Sequence, residues 1–159
     1  MKILILEDEI PAYQKLTSAL ASFFEIETTH DWARSIADGE LYLKENSYDF
    51  ILSDIQLLDG MSFDLFDKTT IHCPIIFCSA HDEYLFQAFN TNGIAYILKP
   101  YTQTDFDKAI QKYQSLFNKG TYNPLNNATI DALKSVRFHV KIYRLKNNFL
   151  AISKFCKKL

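Results

Sequence analysis

The sequence predicts an α/β domain: a doubly wound, five-stranded parallel sheet with strand order 2-1-3-4-5, followed by a short C-terminal extension. Short apolar runs recur between Ile3 and Leu98, and segments with apolar residues at helical spacing separate them. A run that is apolar at every position suits a strand covered on both faces, as in parallel sheets. Regular alternation of such runs with helices gives successive βα units.

Ile3-Leu4-Ile5-Leu6 forms the first strand and ends in acids. Leu16, Ala19, Leu20 and Phe23 follow at i, i+3, i+4, i+7, the spacing of one helix face. Ile26–Thr29 is more polar and suits an edge strand. Ala33, Ile36, Ala37 and the Glu40-Leu41 turn suggest the second helix. Phe50-Ile51-Leu52 is the third strand, with a short helix near Phe63–Lys68. Ile75-Ile76-Phe77 is the fourth strand, with a second short helix over Glu83–Asn90. Ile94–Leu98 is the fifth strand. Phe106, Ala109, Ile110, Tyr113 and Phe117 mark a last helix that fades near Asn118-Lys119-Gly120. The domain thus covers 1–118, and 119–136, with Pro124 and several Asn, reads as a linker. In the tail, 137–159, Phe138, Val140 and Ile142 alternate, and Phe149–Ile152 follows Asn147-Asn148, suggesting two strands joined by a turn.

Composition narrows the class. With 48% hydrophobic and 23% charged residues the chain suits a soluble globular protein, and 4 Gly and 4 Pro argue against a loop-rich one. The apolar run at the start is too short for a signal-peptide core, and no later stretch would span a membrane, so the cytoplasm is expected. Cys73, Cys78 and Cys156 form no CxxC pair and read as buried free thiols. The net charge of −2 hides a step. Eight basic residues and no acid follow Asp131, whereas the preceding part sets nine basic residues against all 19 acids, a net of −10. Two functional regions are implied.

The polar residues that carry chemistry sit directly after the strands. Glu7 and Asp8 follow the first, Asp54 ends the third, Ser79 follows the fourth and Lys99 the fifth. Open α/β sheets bind ligands beyond the carboxyl ends of their strands, where strand order reverses. The first and third strands flank that point, so Asp8 and Asp54 are expected to face each other across it. Clustered carboxylates need a compensating cation. A hard divalent ion with oxygen ligands supplies it, and Mg²⁺ suits a site that keeps several waters. Lys99 adds a flexible positive charge and Ser79 a hydroxyl donor. Phosphoryl transfer needs positioning and charge neutralisation above all, and Asp54 then serves as the nucleophile, forming an aspartyl phosphate. Taken singly, each residue has a plainer reading: Asp54 as a turn or cap residue, Glu7-Asp8-Glu9 as a helix start, and Lys99-Pro100 as an ordinary turn.

ILILEDE (3–9), ILSDIQLLDGMSFDLF (51–66) and PIIFCSAHDEYLFQAFNTNGIAYILKPY (74–101) resemble the receiver domain of two-component response regulators. The resemblance covers about residues 1–118. Its last segment looks most like the LytTR-type subfamily of DNA-binding regulators. It implies a flavodoxin-like receiver fold in which Asp54 takes a phosphoryl group from the phosphohistidine of a sensor histidine kinase. Asp8, Asp54 and the Gln56 backbone carbonyl would ligate Mg²⁺, with Glu7 supporting the ion through water. Ser79 and Lys99 would contact the phosphoryl oxygens, and Lys99-Pro100 would be a cis bond that holds the lysine in place. Tyr96 would turn inward once Ser79 moves, remodelling the face of the fourth helix, fifth strand and fifth helix, on which regulators of this family dimerise or dock a partner. Leu85, Phe86 and Phe89 lie on or near that face, with at least one expected in the core. Gln56 and His81 sit where the family tunes phosphoryl lifetime.

Two positions depart from the pattern: Leu58 stands where the family often has Pro, and Ser62 where Gly is common. Arg137-Phe138-His139-Val140-Lys141 resembles the opening strand of a LytTR DNA-binding domain. Residues 119–159 are too few for such a domain of roughly 100 residues, so the effector is expected to be incomplete, with DNA contacted through the full-length form. The chain is then a regulatory phosphoacceptor that catalyses only its own phosphorylation and dephosphorylation. A stand-alone receiver signalling by protein contact is the alternative. A phosphohydrolase with an Asp nucleophile would carry a second Asp two residues on as general acid, and Gln56 occupies that position.

Overall fold

A computed structural model of the chain describes residues 1–24 and 28–117. The linker and basic tail, with the two strands and Cys156 expected there, lie outside the described residues. The elements run β1 (Lys2–Leu6), α1 (Ile10–Phe23), β2 (Thr29–Ala33), α2 (Ile36–Glu45), β3 (Phe50–Ser53), β4 (Gln56–Leu57), β5 (Gly60–Met61), α3 (Ser62–Lys68), β6 (Ile75–Ser79), α4 (Leu85–Ala88), β7 (Gly93–Leu98) and α5 (Gln103–Phe117). Five strands form a parallel sheet in the order β2-β1-β3-β6-β7, and β4 and β5 form a separate antiparallel hairpin. Leaving the hairpin aside, this is the expected order 2-1-3-4-5, a five-stranded doubly wound sheet of the flavodoxin-like kind.

The alternation of side chains along each strand divides the core into two layers. Ile3, Ile5, Phe50, Leu52, Ile76, Cys78 and Ile97 face one side, where Leu16, Ala19 and Leu20 of α1 meet Phe106, Ala109, Ile110 and Tyr113 of α5. Leu4, Leu6, Ile51, Ile75 and Phe77 face the other, against Phe63, Leu65 and Phe66 of α3 and Ala88 of α4. All of β3 and β6 is buried, which is why their sequences are apolar runs rather than alternations. Cys73 and Cys78 are free and buried, and burial pushes both thiols up to about 12.

Three expectations need correction. The edge strand is Thr29–Ala33 rather than Ile26–Thr29; Ile26 and Glu27 lie outside the described residues. Its residues carry no apolar run, because only Ala33 is fully buried on this edge. Ala33 therefore ends β2 instead of opening α2. That helix begins after Ser35, whose hydroxyl accepts from the Asp38 N–H, and Asp59 accepts from Ile36 N and Ala37 N at 2.6 and 3.2 Å. The segment Glu83–Asn90 yields a helix only over Leu85–Ala88. It has no side-chain cap, and three-residue bonds, Asn90 N–H to Gln87 and Thr91 N–H to Ala88, close its end. Finally, Leu85, Phe86 and Phe89 are all exposed, at 37%, 39% and 41%, and Ala88 alone of this helix enters the core.

Two glycines are fixed by geometry. Gly60, at φ 148°, follows the Leu58-Asp59 turn of the hairpin. At Gly93 a Cβ would stand 2.3 Å from the Ala88 carbonyl oxygen and 3.0 Å from Phe77. Backbone, unlike the end of a long side chain, cannot yield cheaply. Gly93→Ala is therefore expected to destabilise the domain by about 1–3 kcal/mol, read as a lowered urea midpoint with an unchanged m value.

Candidate functional site

The strand ends that flank the reversal of order carry the acids. β1 pairs with β3 from Ile3 to Leu6, and the Asp54 N–H continues that ladder onto the Leu6 carbonyl at 2.8 Å. Asp54 is thereby locked one residue beyond β3, 9% exposed. One of its carboxylate oxygens accepts from the Ile55 N–H at 2.5 Å. The other accepts from Lys99 Nζ at 2.7 Å, and the same ammonium donates to Glu7 Oε2 at 2.7 Å.

Glu7 is completely buried. Burial raises its carboxyl above the ordinary range, Lys99 pulls it back, and the Asp54 charge pushes it up again. Burial likewise disfavours the Lys99 ammonium, but hydrogen bonds and charge from Asp54 and Glu7 overcome it and hold this lysine above its ordinary value. The site is a buried cluster of two carboxylates around one ammonium, with one negative charge in excess when all three are ionised.

The Lys99 N–H bonds the Ser79 carbonyl at 2.8 Å, and Lys99-Pro100 is cis as expected. Ser79 is the last residue of β6 rather than the first after it. Its hydroxyl is fully buried without a hydrogen bond of ordinary length, although Tyr96 lies close enough to feel it. The Tyr96 hydroxyl donates to the His81 carbonyl, tying β7 to the loop after β6. Burial pushes this phenol up to about 12. Tyr96 is also among the residues that line an open groove, with Leu85, Phe89, Leu98 and Lys112.

The expected residues are not all assembled alike. Glu7, expected only as support, shares Lys99 with Asp54. Asp8 comes next on the loop, half-buried, and its carbonyl accepts from Arg34. Gln56 is exposed on β4. The His81 ring stands off the cluster, its Nδ1 3.0 Å from Glu83 Oε1. Ser62, at the first turn of α3, is buried, and its N–H bonds the Ile55 carbonyl at 2.8 Å. Leu58 projects into solvent, 66% exposed. Trp32 and Arg34 were not singled out from the sequence, yet both donate to the carbonyls of the acidic loop. A lone tryptophan and an arginine at the end of a polar edge strand were the available signal.

The carboxylates of Glu7 and Asp54 meet at Lys99, and oxygen donors of this kind suit a hard cation. Among the described residues no group of three or more His, Cys, Asp and Glu is assembled to hold a metal. An ion here would therefore take part of its shell from water. No helix among the described residues is long and apolar enough to cross a membrane.

Known proteins resemble the chain in sequence and in fold. The response regulator receiver domain family matches residues 3–111. The chain is 33% identical over 132 residues to the sensory transduction protein LytR of Streptococcus agalactiae, covering 80% of the chain and 54% of that protein. It is 32% identical over 154 residues to the transcriptional regulatory protein LytR of Staphylococcus aureus, covering 92% of the chain and 62% of that protein. The chain thus spans little more than half the length of these relatives. Among solved structures, the response regulatory domain of protein mrkE from Klebsiella pneumoniae superposes with a TM-score of 0.65 at 27% identity, covering 73% of the chain and 97% of that domain. The family match runs from β1 into α5, through every element that supplies the carboxylate–lysine cluster, and the chain belongs to the response regulator receiver domain family of two-component systems.

Proposed function

We propose that Asp54 accepts a phosphoryl group from the phosphohistidine of a sensor histidine kinase in a Mg²⁺-dependent reaction. The observation that carries this reading is the Lys99 ammonium held between Asp54 and Glu7 at 2.7 Å from each. An Asp54 carboxylate oxygen forms the new O–P bond as the histidine N–P bond breaks, and the electron pair returns to the imidazole. Asp8, Asp54 and the Gln56 carbonyl would hold the ion, with Glu7 acting through water. When bound, Mg²⁺ supplies charge neutralisation for the transferring group. Lys99 stays close to Asp54 through the reaction, and its ammonium is free to follow the added oxygens. The buried Ser79 hydroxyl, without an ordinary hydrogen bond of its own, would donate to one of them. Such a protein is a regulatory phosphoacceptor, catalysing only its own phosphorylation and dephosphorylation, and it works in the cytoplasm where its kinase donates.

The output follows from Tyr96. Its hydroxyl now rests on the His81 carbonyl. Drawing Ser79 toward the phosphoryl group shifts that loop, releases the contact and lets the ring turn inward. The groove beside it belongs to α4, β7 and α5, with Leu85, Phe86, Phe89 and Leu98 exposed nearby. Closure of two such faces would form a homodimer on phosphorylation. Similarity to a transcriptional regulator over 154 residues favours DNA as the target of the full-length form, over a stand-alone receiver that signals by protein contact alone.

Incubation with Mg²⁺ and a small phosphodonor is expected to label the protein. Chelation with EDTA and the variant Asp54→Asn should each abolish the label. Labelling of Asp54→Asn, or none of the parent with two different donors, would refute the assignment.

The ion pair also makes a stability prediction. Lys99→Met leaves two buried carboxylates without a counter-charge. It should cost about 1–3 kcal/mol at pH 8, less than a fully buried pair because Lys99 keeps some exposure. Glu7 binds its proton more tightly in the folded chain than in the unfolded one, so stability rises as pH falls through that window. The deficit of Lys99→Met should therefore shrink toward pH 5, and adding Glu7→Gln should restore most of it. Urea melts of the single and double variants at both pH values measure this.

A further inference from the structure

We infer that Trp32 and Arg34 are positioning residues for the cation site, acting through the backbone of the loop that carries Glu7 and Asp8. The inference rests on the reading of that loop as one side of a Mg²⁺ site. The Trp32 indole N–H donates to the Glu7 carbonyl at 2.6 Å. Arg34 brings Nε and Nη2 to the next carbonyl, that of Asp8, at 3.2 and 2.9 Å. The Glu7 N–H is taken by the Ala33 carbonyl at 3.0 Å. Three consecutive residues, Trp32 to Arg34, thus grip two consecutive residues of the acidic loop.

The grip is itself braced. Tyr13 stacks on the indole with centroids 4.0 Å apart and planes 10° apart, and its hydroxyl meets His30 Nε2 at 2.8 Å. The Arg34 guanidinium lies 5.4 Å from the Trp32 ring. These contacts fix the indole so that its single N–H has one direction to point.

The choice of acceptor is informative. Arg34 stands among acids yet makes no ion pair with the carboxylates of Glu7 or Asp8. It directs two donors onto one neutral carbonyl. The loop is fixed through its backbone, without Arg34 covering the Asp8 carboxylate. The carbonyl of half-buried Asp8 could be satisfied by water, so the Arg34 contact is not demanded by folding alone. Groups that orient metal ligands from outside the coordination shell typically govern affinity by 10- to 100-fold. The Arg34 charge opposes a cation, but the side chain is exposed and its field is screened by salt. Positioning therefore outweighs repulsion.

The test titrates the full 159-residue chain with Mn²⁺, read by electron paramagnetic resonance, and with Mg²⁺, read by calorimetry. Trp32→Phe keeps the stacked ring and loses the donor. Arg34→Met loses both donors and the charge. Each is expected to bind roughly tenfold more weakly, with Arg34→Lys in between and the melting temperature of the exposed Arg34 variants little changed. Lys44→Met removes a surface charge that pairs with Glu40 on α2, and should bind like the parent. Trp32 is the chain's single tryptophan, so its emission should change when Mg²⁺ is added to the parent and not to Asp8→Asn. Affinities within twofold of the parent in both Trp32→Phe and Arg34→Met, or tighter binding by Arg34→Met, would overturn the inference and leave the Mg²⁺ reading standing. A parent chain that binds neither ion overturns both. Should Trp32→Phe fold poorly, the exposed Arg34 variants decide the matter.

Discussion

The ammonium of Lys99, shared between Asp54 and Glu7, is the contact on which the rest of the site depends. Two carboxylates at the ends of adjacent strands cannot both stay ionised in a buried place without it. The geometry is demanding, because β7 lies two strands from β3 in the sheet. Two strand spacings amount to about 9.5 Å, which calls for a point charge on a long, flexible stem. The stem is started in the right direction by the bond from the Lys99 N–H to the Ser79 carbonyl. Register across three strand pairs therefore sets the distance at which one ammonium meets two acids.

That dependence ties the interior of the site to the surface. Ser79 closes β6 and bonds the backbone of Lys99. Tyr96 lies across from Phe77 in the same strand pair and reaches the loop after β6 through the His81 carbonyl. A change in charge at Asp54 thus has a short physical route to the α4–β7–α5 groove, through one hydroxyl and one loop. The short α4 suits that role. Its helix has a single buried residue, Ala88, and no side-chain cap, so little packing opposes its adjustment. Gly93 lets β7 pass close under Ala88, which keeps this lightly held helix near the strand.

Much of this was readable in the residues. Apolar runs placed β1, β3, β6 and β7, because strands buried on both faces have no polar positions to blur the pattern. The i, i+3, i+4, i+7 spacing placed α1 and α5, and the acids, Ser79 and Lys99 fell at strand ends as expected. The edge strand escaped because one side of it faces solvent and its residues, Thr29 to Trp32, look like loop. The extent of α4 escaped because a helical pattern says nothing about capping. Leu85, Phe86 and Phe89 read as partly core since apolar residues usually are, whereas the structure leaves all three exposed.

The order of residues dictates the layering of the sheet, the strand ends where the acids gather and the residue types that suit phosphoryl chemistry. These are local properties: periodicity, burial demand and side-chain chemistry travel with the residues. Which acid meets which base is set by the three-dimensional packing. It put Glu7 on Lys99 beside Asp54, set Asp8 on a loop held by Trp32 and Arg34, and bound Tyr96 to the His81 carbonyl. Those pairings join residues far apart in the chain, and their distances are fixed by strand register and helix packing, which no single stretch of sequence specifies. For Asp54, an ordinary turn aspartate when read alone, the deciding fact is the lysine 45 residues away that the sheet brings to 2.7 Å.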